Sequence, residues 1–144
     1  MASTVGAYRR AMDAHDQGGD SGPLIRQLKD ELTKSATRPF STGFYFGSPG
    51  QDTLRDEPQR RYSFVGMVME DQKDGIVKIE QRNKFLLGDR LEVLSPGMQN
   101  AAFNVDKIIN EEGGEQESAP HPQQILRISC GLPLKKGDIL RKLI

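Results

Sequence analysis

Cysteine, histidine, aromatic residues and net charge are all scarce in this chain, and each scarcity excludes something. The single cysteine, Cys130, excludes an internal disulfide framework and any cluster ligated by cysteines of this chain alone. It follows the apolar run Ile125-Leu126-Arg127-Ile128, and nothing nearby supplies the cationic setting that lowers a thiol pKa. It therefore reads as a buried thiol at a strand end. With two histidines, His15 and His121, no Ser–His–Asp arrangement, HExxH pattern or set of paired metal ligands can be assembled. Twenty basic residues balance twenty acidic ones. A dedicated nucleic-acid binder carries a basic excess, so any nucleic-acid contact here is local or assisted by another domain. No apolar run approaches the ~20 residues that span a bilayer, and the N-terminus has no charged-then-apolar signal pattern. A cytoplasmic protein without a membrane role is the expectation. A hydrophobic fraction of 35% and a mean hydropathy of −0.59 leave enough for a small core in 144 residues.

What is present is organised around residues 62 to 96, YSFVGMVMEDQKDGIVKIEQRNKFLLGDRLEVLSP. Three runs alternate apolar and polar residues at period two: Phe64 to Met69, Ile76 to Gln81 and Arg90 to Leu94. Such alternation predicts half-buried strands. Asp74-Gly75 tolerates φ > 0 between two of them, a short-range hairpin signal. Gly88-Asp89 opens the third strand, and Gly137-Asp138 repeats the device before Ile139 to Leu143. Further strands are expected over Ala101 to Ile109 and Gln124 to Ser129. Short strands at 8–12-residue spacing favour closure into a barrel, which also removes exposed edges. The expected fold is therefore mainly β: a small closed antiparallel β-barrel over residues 39–144. A helical linker segment over residues 1–38 precedes it.

Within that segment the spacing of Val5, Tyr8, Ala11 and Met12 predicts a helix over 4–16, ended by Gly18-Gly19. A second helix runs from Pro23 to Ser35, with Leu24, Ile25, Leu28 and Leu32 on one stripe. Two short amphipathic helices bury too little to stand alone and must dock on something, either the β-domain or a body outside this chain. Phe44-Tyr45-Phe46, flanked by Gly43 and Gly47, is the densest aromatic cluster in a chain with 6% aromatics. Its glycines suit a short strand with tight bends, and its rings suit either packing at a barrel mouth or stacking on a base or partner. Residues 48–61 read as a mobile polar loop and 111–118 as an acidic loop. His121, stiffened by Pro120 and Pro122, is a candidate base or ligand without a carboxylate or cysteine at ligand spacing.

TGFYFG at 42–47, YSFVGMV at 62–68, VKIEQRNKFLLGDRLEVLSPG at 77–97, APHPQQ at 119–124 and GDILRK at 137–142 occur in that order. Together they resemble the C-terminal region of the collagenase-like peptidases of unknown catalytic type, family thirty-two of the U class. VGAYRRAMDAH looks like the helix that links that family's catalytic barrel to its tail. The barrel also looks like the second domain of translation elongation factors, an analogy of fold only. The resemblance implies a longer parent with an N-terminal TIM-like barrel, associated in several branches with an iron–sulfur cluster. The nearest branch hydroxylates tRNA at the wobble uridine. No cofactor is expected in this chain itself. The implied partners are the chain's own N-terminal barrel and tRNA, with no statement about oligomeric state.

Three functions compete on these residues. One is an accessory domain, not itself catalytic, that positions RNA or substrate through Phe44, Tyr45, Phe46, Arg82, Lys84, Arg90 and His121. Another is a packing or self-association module, or a substrate-binding domain of a collagenase-like peptidase. A free-standing hydrolase comes last, for want of a catalytic constellation.

Overall fold

The computed structural model describes residues 2–18, 22–34, 36, 43–48, 62–96 and 101–144. The chain divides into two compact units, Met1–Arg61 and Tyr62–Ile144. The boundary read from the sequence, 38/39, falls among residues that are largely outside the described set, as do 49–61 of the polar loop.

The first unit carries α1 (Ala2–Asp16) and α2 (Gly22–Lys34), close to the two helices expected. α1 stops where Gly18 takes φ +70°, and the Gly18 N–H donates to His15 O at 3.0 Å, satisfying one of the last-turn carbonyls. Pro23 sits in the first turn of α2, where its missing N–H would have had no helical acceptor anyway. The helices pack on each other, but through only part of the expected stripe of α1. Ala7 is buried while Val5, Tyr8 and Met12 are exposed. Ala7, Ala11 and the edge of Tyr8 line a shallow apolar groove with Ile25, Leu28 and Leu32. Small side chains at the crossing let helix axes approach, so the alanine side wins the contact.

The aromatic cluster departs from expectation. Residues 43–46 form a turn, not a strand, with Gly43 at φ +56° and Gly47 at φ +123°. Phe44, Tyr45 and Phe46 are 82%, 84% and 81% exposed.

The second unit holds β1 (Tyr62–Val68), β2 (Ile76–Gln81), β3 (Phe85–Leu86), β4 (Arg90–Leu94), β5 (Ala102–Asn104), β6 (Ile108–Ile109), β7 (Ser118–Ala119), β8 (Ile125–Ser129) and β9 (Ile139–Leu143). Seven form one antiparallel sheet in the order β5-β4-β9-β1-β2-β8-β6, and β3 pairs with β7 in a separate ribbon. Period two decides what is buried. In β2, Val77, Ile79 and Gln81 face inward while Ile76, Lys78 and Glu80 are half-exposed. The core comprises Val65, Val68, Phe85, Leu91, Val93, Val105, Ile108, Leu126, Ile128, Leu134 and Leu140 with the inward residues of β2. Gln81, the polar inward residue, is held by a side-chain N–H donated to Ala119 O, which fastens β7 beneath the end of β2.

The closed barrel is not formed. The sheet curls into a half-barrel whose edges, β5 and β6, do not pair with each other. The expected single strand over 101–109 breaks instead into β5 and β6. Val105, at the break, donates its N–H to Asp89 O and accepts from the Gly88 N–H. Edge strands of three and two residues offer too few ladder bonds to zip the sheet shut.

Turn chemistry agrees with the sequence. Asp74 and Gly75 both have positive φ, 51° and 76°, and Lys73 and Ile76 exchange two backbone bonds of 2.8 and 3.0 Å. That is a type I′ hairpin turn, whose twist matches the strands it joins. The two Gly-Asp turns are copies. Gly88 and Gly137 take φ +84° and +93°, and the following aspartate accepts a 2.8 Å bond from the backbone N–H three residues before it, Leu86 or Lys135. Each aspartate thus closes its turn from both sides, since its own N–H also donates back to that residue's carbonyl. Gly66 has a different reason: a Cβ there would lie 2.7 Å from the Glu80 carbonyl oxygen.

Candidate nucleic-acid interface

The antiparallel registers decide where the sequence-derived basic residues lie. The start of β1 pairs with the end of β9, and the start of β4 also lies against the end of β9. The end of β2 pairs with the end of β1 that precedes the loop to β2 only through its middle, so residues 82–83 return to β1: the Arg82 and Asn83 N–H groups both donate to Val65 O. The start of β8 lies against the end of β2, and β7 against β3. Arg82 follows β2, Lys84 precedes β3, Arg90 opens β4 and His121 lies between β7 and β8. All four therefore stand on one rim of the half-barrel, although the sequence scatters them over forty positions. Lys142 near the end of β9 joins them there.

Their settings differ. Arg82 is half-buried and paired with Glu80 at 3.1 Å, while its Nε is buried without a partner. Lys84, Arg90 and His121 are exposed. His121 stands on a tight turn: the Gln124 N–H donates to its carbonyl, and Gln123 carries the strained φ of +63°. Lys142 Nζ lies 2.8 Å from Asp89 Oδ2. Phe44, Tyr45 and Phe46 belong to the first unit, where the rings of Tyr45 and Phe46 meet edge-on with centroids 4.9 Å apart.

Sequence reasoning missed Tyr62 and Arg141. The Arg141 guanidinium lies 4.9 Å above the Tyr62 ring, and its Nε donates to Glu92 Oε2 at 3.1 Å. Arg141 is only 4% exposed although it stands on the face of the sheet opposite to the Leu140 core. Its register partner, Glu92, lies directly across β4. A clue was available in the period-two pattern, which puts Arg141 out of step with Leu140. Beside this pair is a cleft of about 360 Å³ lined by Tyr62, Asp89, Arg90, Glu92, Lys142 and Leu143.

Two titratable groups are shifted by their surroundings in this unit's polar clusters. Burial alone would raise the Asp89 carboxyl, but the Lys142 and Leu86 hydrogen bonds and the Lys142 charge outweigh it and hold the group below the usual range. The Glu70 carboxyl is lowered by its hydrogen bond from Lys78, then by the charge of that lysine. Cys130 is different: burial pushes its thiol up, against the backbone bond from Leu132. A buried thiol of that kind is no reactive group. Among the described residues, no group of three or more His, Cys, Asp or Glu could hold a metal ion. No helix among the described residues is long and apolar enough to cross a membrane.

Against this geometry, comparison with known proteins is specific. Residues 60–141 match the Peptidase family U32 C-terminal domain, and residues 1–55 match Peptidase family U32. The chain belongs to peptidase family U32 and carries its C-terminal domain. It is 30% identical to the tRNA hydroxylation protein P1 of Bacillus subtilis (strain 168), over 99% of this chain and 35% of that protein. To the tRNA hydroxylation protein P of Escherichia coli (strain K12) it is 28% identical, over 83% of this chain and 26% of that protein. The chain thus spans about a third of these relatives' length or less. A crystal structure of the C-terminal domain of a Geobacillus thermoleovorans U32 peptidase superposes with a TM-score of 0.52 at 36% identity, covering 55% of this chain and 90% of that one. Its selenomethionine variant gives 0.53 at 34% identity, over 56% and 99%.

Proposed function

We propose that this chain is a non-catalytic C-terminal portion of a U32-family protein, and that its β unit positions tRNA for an N-terminal catalytic barrel. The reaction served is hydroxylation of the wobble uridine, in the cytoplasm. The observation that carries the reading is the gathering of Arg82, Lys84, Arg90 and His121 on one rim. Identity to a tRNA hydroxylation protein along 99% of the chain supports it. A net charge of zero is compatible, because phosphate contact needs only a local group of cations, and Lys84 and Arg90 are exposed there. The exposed rings of Phe44, Tyr45 and Phe46 supply stacking surfaces for unpaired bases.

Two measurements test the proposal. The 144-residue chain should bind bulk tRNA with an affinity that falls steeply with salt. Binding that is absent, or indifferent to salt, counts against it. Deleting residues 62–144 from the encoding gene should abolish hydroxyuridine in bulk tRNA, read by nucleoside mass spectrometry, while the remaining protein stays folded. Wild-type modification in that strain would leave the β unit without a part in the chemistry.

One observation favours a second reading, a packing module. Val5, Tyr8 and Met12 form an exposed apolar stripe on α1, of the kind that marks an interaction site when contiguous. On that reading sedimentation of the isolated chain shows self-association that Val5→Ser with Met12→Ser abolishes.

A further inference from the structure

We infer that the cleft between Tyr62 and Arg90 is a binding site for a single unpaired nucleotide, its base stacked on Tyr62 and its phosphate on Arg90. The inference rests on the tRNA reading and names where one nucleotide of that RNA sits.

Charge is the first argument. Around the cleft Lys142 is bonded to Asp89 at 2.8 Å and Arg141 to Glu92 at 3.1 Å, so four of the five charged groups are already in pairs. Arg90 is the fifth, exposed, and among the described residues no carboxylate pairs with it. Among the described residues the surplus is one positive charge at the outer edge of the cleft, and a nucleotide within a chain brings one negative charge. With the other charges of these residues already in pairs, the cleft offers one cation, which suits one splayed nucleotide and not a duplex backbone lying along it.

Shape and rigidity are the second argument. A volume of about 360 Å³ lies within the range of small-ligand sites, roughly 300–1,000 Å³. Tyr62 is a pre-set platform: Arg141 covers one side of its ring, and Glu92 holds that arginine in place. A ring fixed before binding loses little freedom when a base stacks on it. Leu143, in register with Tyr62 across β9, gives the cleft an apolar wall. Proteins that recognise RNA stack unpaired bases on such aromatic and guanidinium surfaces.

The test uses the 144-residue chain, a mixed-sequence single-stranded RNA oligonucleotide and, separately, the four nucleoside monophosphates. Arg90→Ala should weaken oligonucleotide binding about ten-fold at low salt and flatten the log–log salt slope by about 0.7. Arg127→Ala removes an equal charge from the exposed face of β8 and should do much less. Tyr62→Leu should weaken binding about ten-fold or more, and Tyr62→Phe should restore it, because stacking needs the ring and not the hydroxyl. A nucleoside monophosphate should shift the Tyr62 ring and Leu143 methyl resonances. Equal losses for Arg90→Ala and Arg127→Ala mean diffuse charge attraction and overturn the site, as does a Tyr62→Phe loss as large as that of Tyr62→Leu. A wild-type chain that binds no RNA removes the tRNA reading. The monophosphate titration then decides the cleft alone, and unshifted resonances overturn it.

Discussion

Lys142 Nζ is bonded to Asp89 Oδ2 at 2.8 Å, so a cation of the last strand grips the carboxylate that closes the turn ahead of β4. The residues are 53 positions apart, and the bond ties the chain's end to its central meander. It also sets the charge of the rim, because a lysine so paired is not available to a ligand as a free cation.

This pair makes stability pH-dependent with a definite sign. The folded Asp89 carboxyl is held below its usual value by Lys142 and Leu86 in spite of burial, which acts the other way. Its unfolded value is near 4. The contribution is therefore complete above about pH 4 and disappears as pH falls through the lower folded value. Asp89→Asn should lower stability in urea unfolding at neutral pH. The gap from wild type should shrink as the buffer goes from about pH 5 to about pH 2. A gap that stays constant would mean that the ionised carboxylate contributes nothing.

The duplicate turns should not be equally sensitive. Asp138 is 2% exposed and accepts the Lys135 N–H, whereas Asp89 is half-buried. The Lys135 N–H bond is partly buried and the Leu86 N–H bond exposed, so the donor left behind at Lys135 has less access to water. Asp138→Ala should cost about 2–3 kcal/mol and Asp89→Ala about 1 kcal/mol by denaturant midpoint.

Gly66→Ala tests a close backbone approach. The new methyl would meet the Glu80 carbonyl at 2.7 Å, and that backbone oxygen cannot swing away as a side chain would. A loss of about 1–3 kcal/mol is expected, with thermal unfolding as the readout.

Phe44, Tyr45 and Phe46 separate stability from binding. Being exposed on a turn, each should change stability by less than about 0.5 kcal/mol when replaced by alanine. On the tRNA reading the triple substitution still weakens tRNA binding, by about 1–3 kcal/mol for each base that stacked there. A triple variant that unfolds early and binds normally would reverse both expectations.

Cys130 should be silent to thiol reagents in the native protein. It is buried, with its thiol pushed up by burial. Modification by a disulfide reagent at neutral pH should track unfolding in urea, with little reaction before the transition.

Much of the fold is legible from one-dimensional patterns because its forces are local. Alternation at period two marks β2 and β4 to the residue, since each inward side chain is paid for by burial and each outward one by solvent. Asp74-Gly75, Gly88-Asp89 and Gly137-Asp138 announce their turns through the positive φ that few other residues tolerate. β3 and β7 escape such reading: two residues cannot display a period, and their pairing is fixed by Gln81 reaching Ala119.

By itself the sequence determined the helices, the main strands, the turns and the membership of peptidase family U32, all properties of short contiguous stretches. Tertiary structure alone decided three further things. Short edge strands left the sheet a half-barrel. A turn put the three aromatic rings into solvent. Antiparallel registers carried Arg82, Lys84, Arg90 and His121 to one rim and set Tyr62 over Arg141, an encounter of residues nearly eighty positions apart. Long-range register depends on every strand between, so no local pattern can announce it.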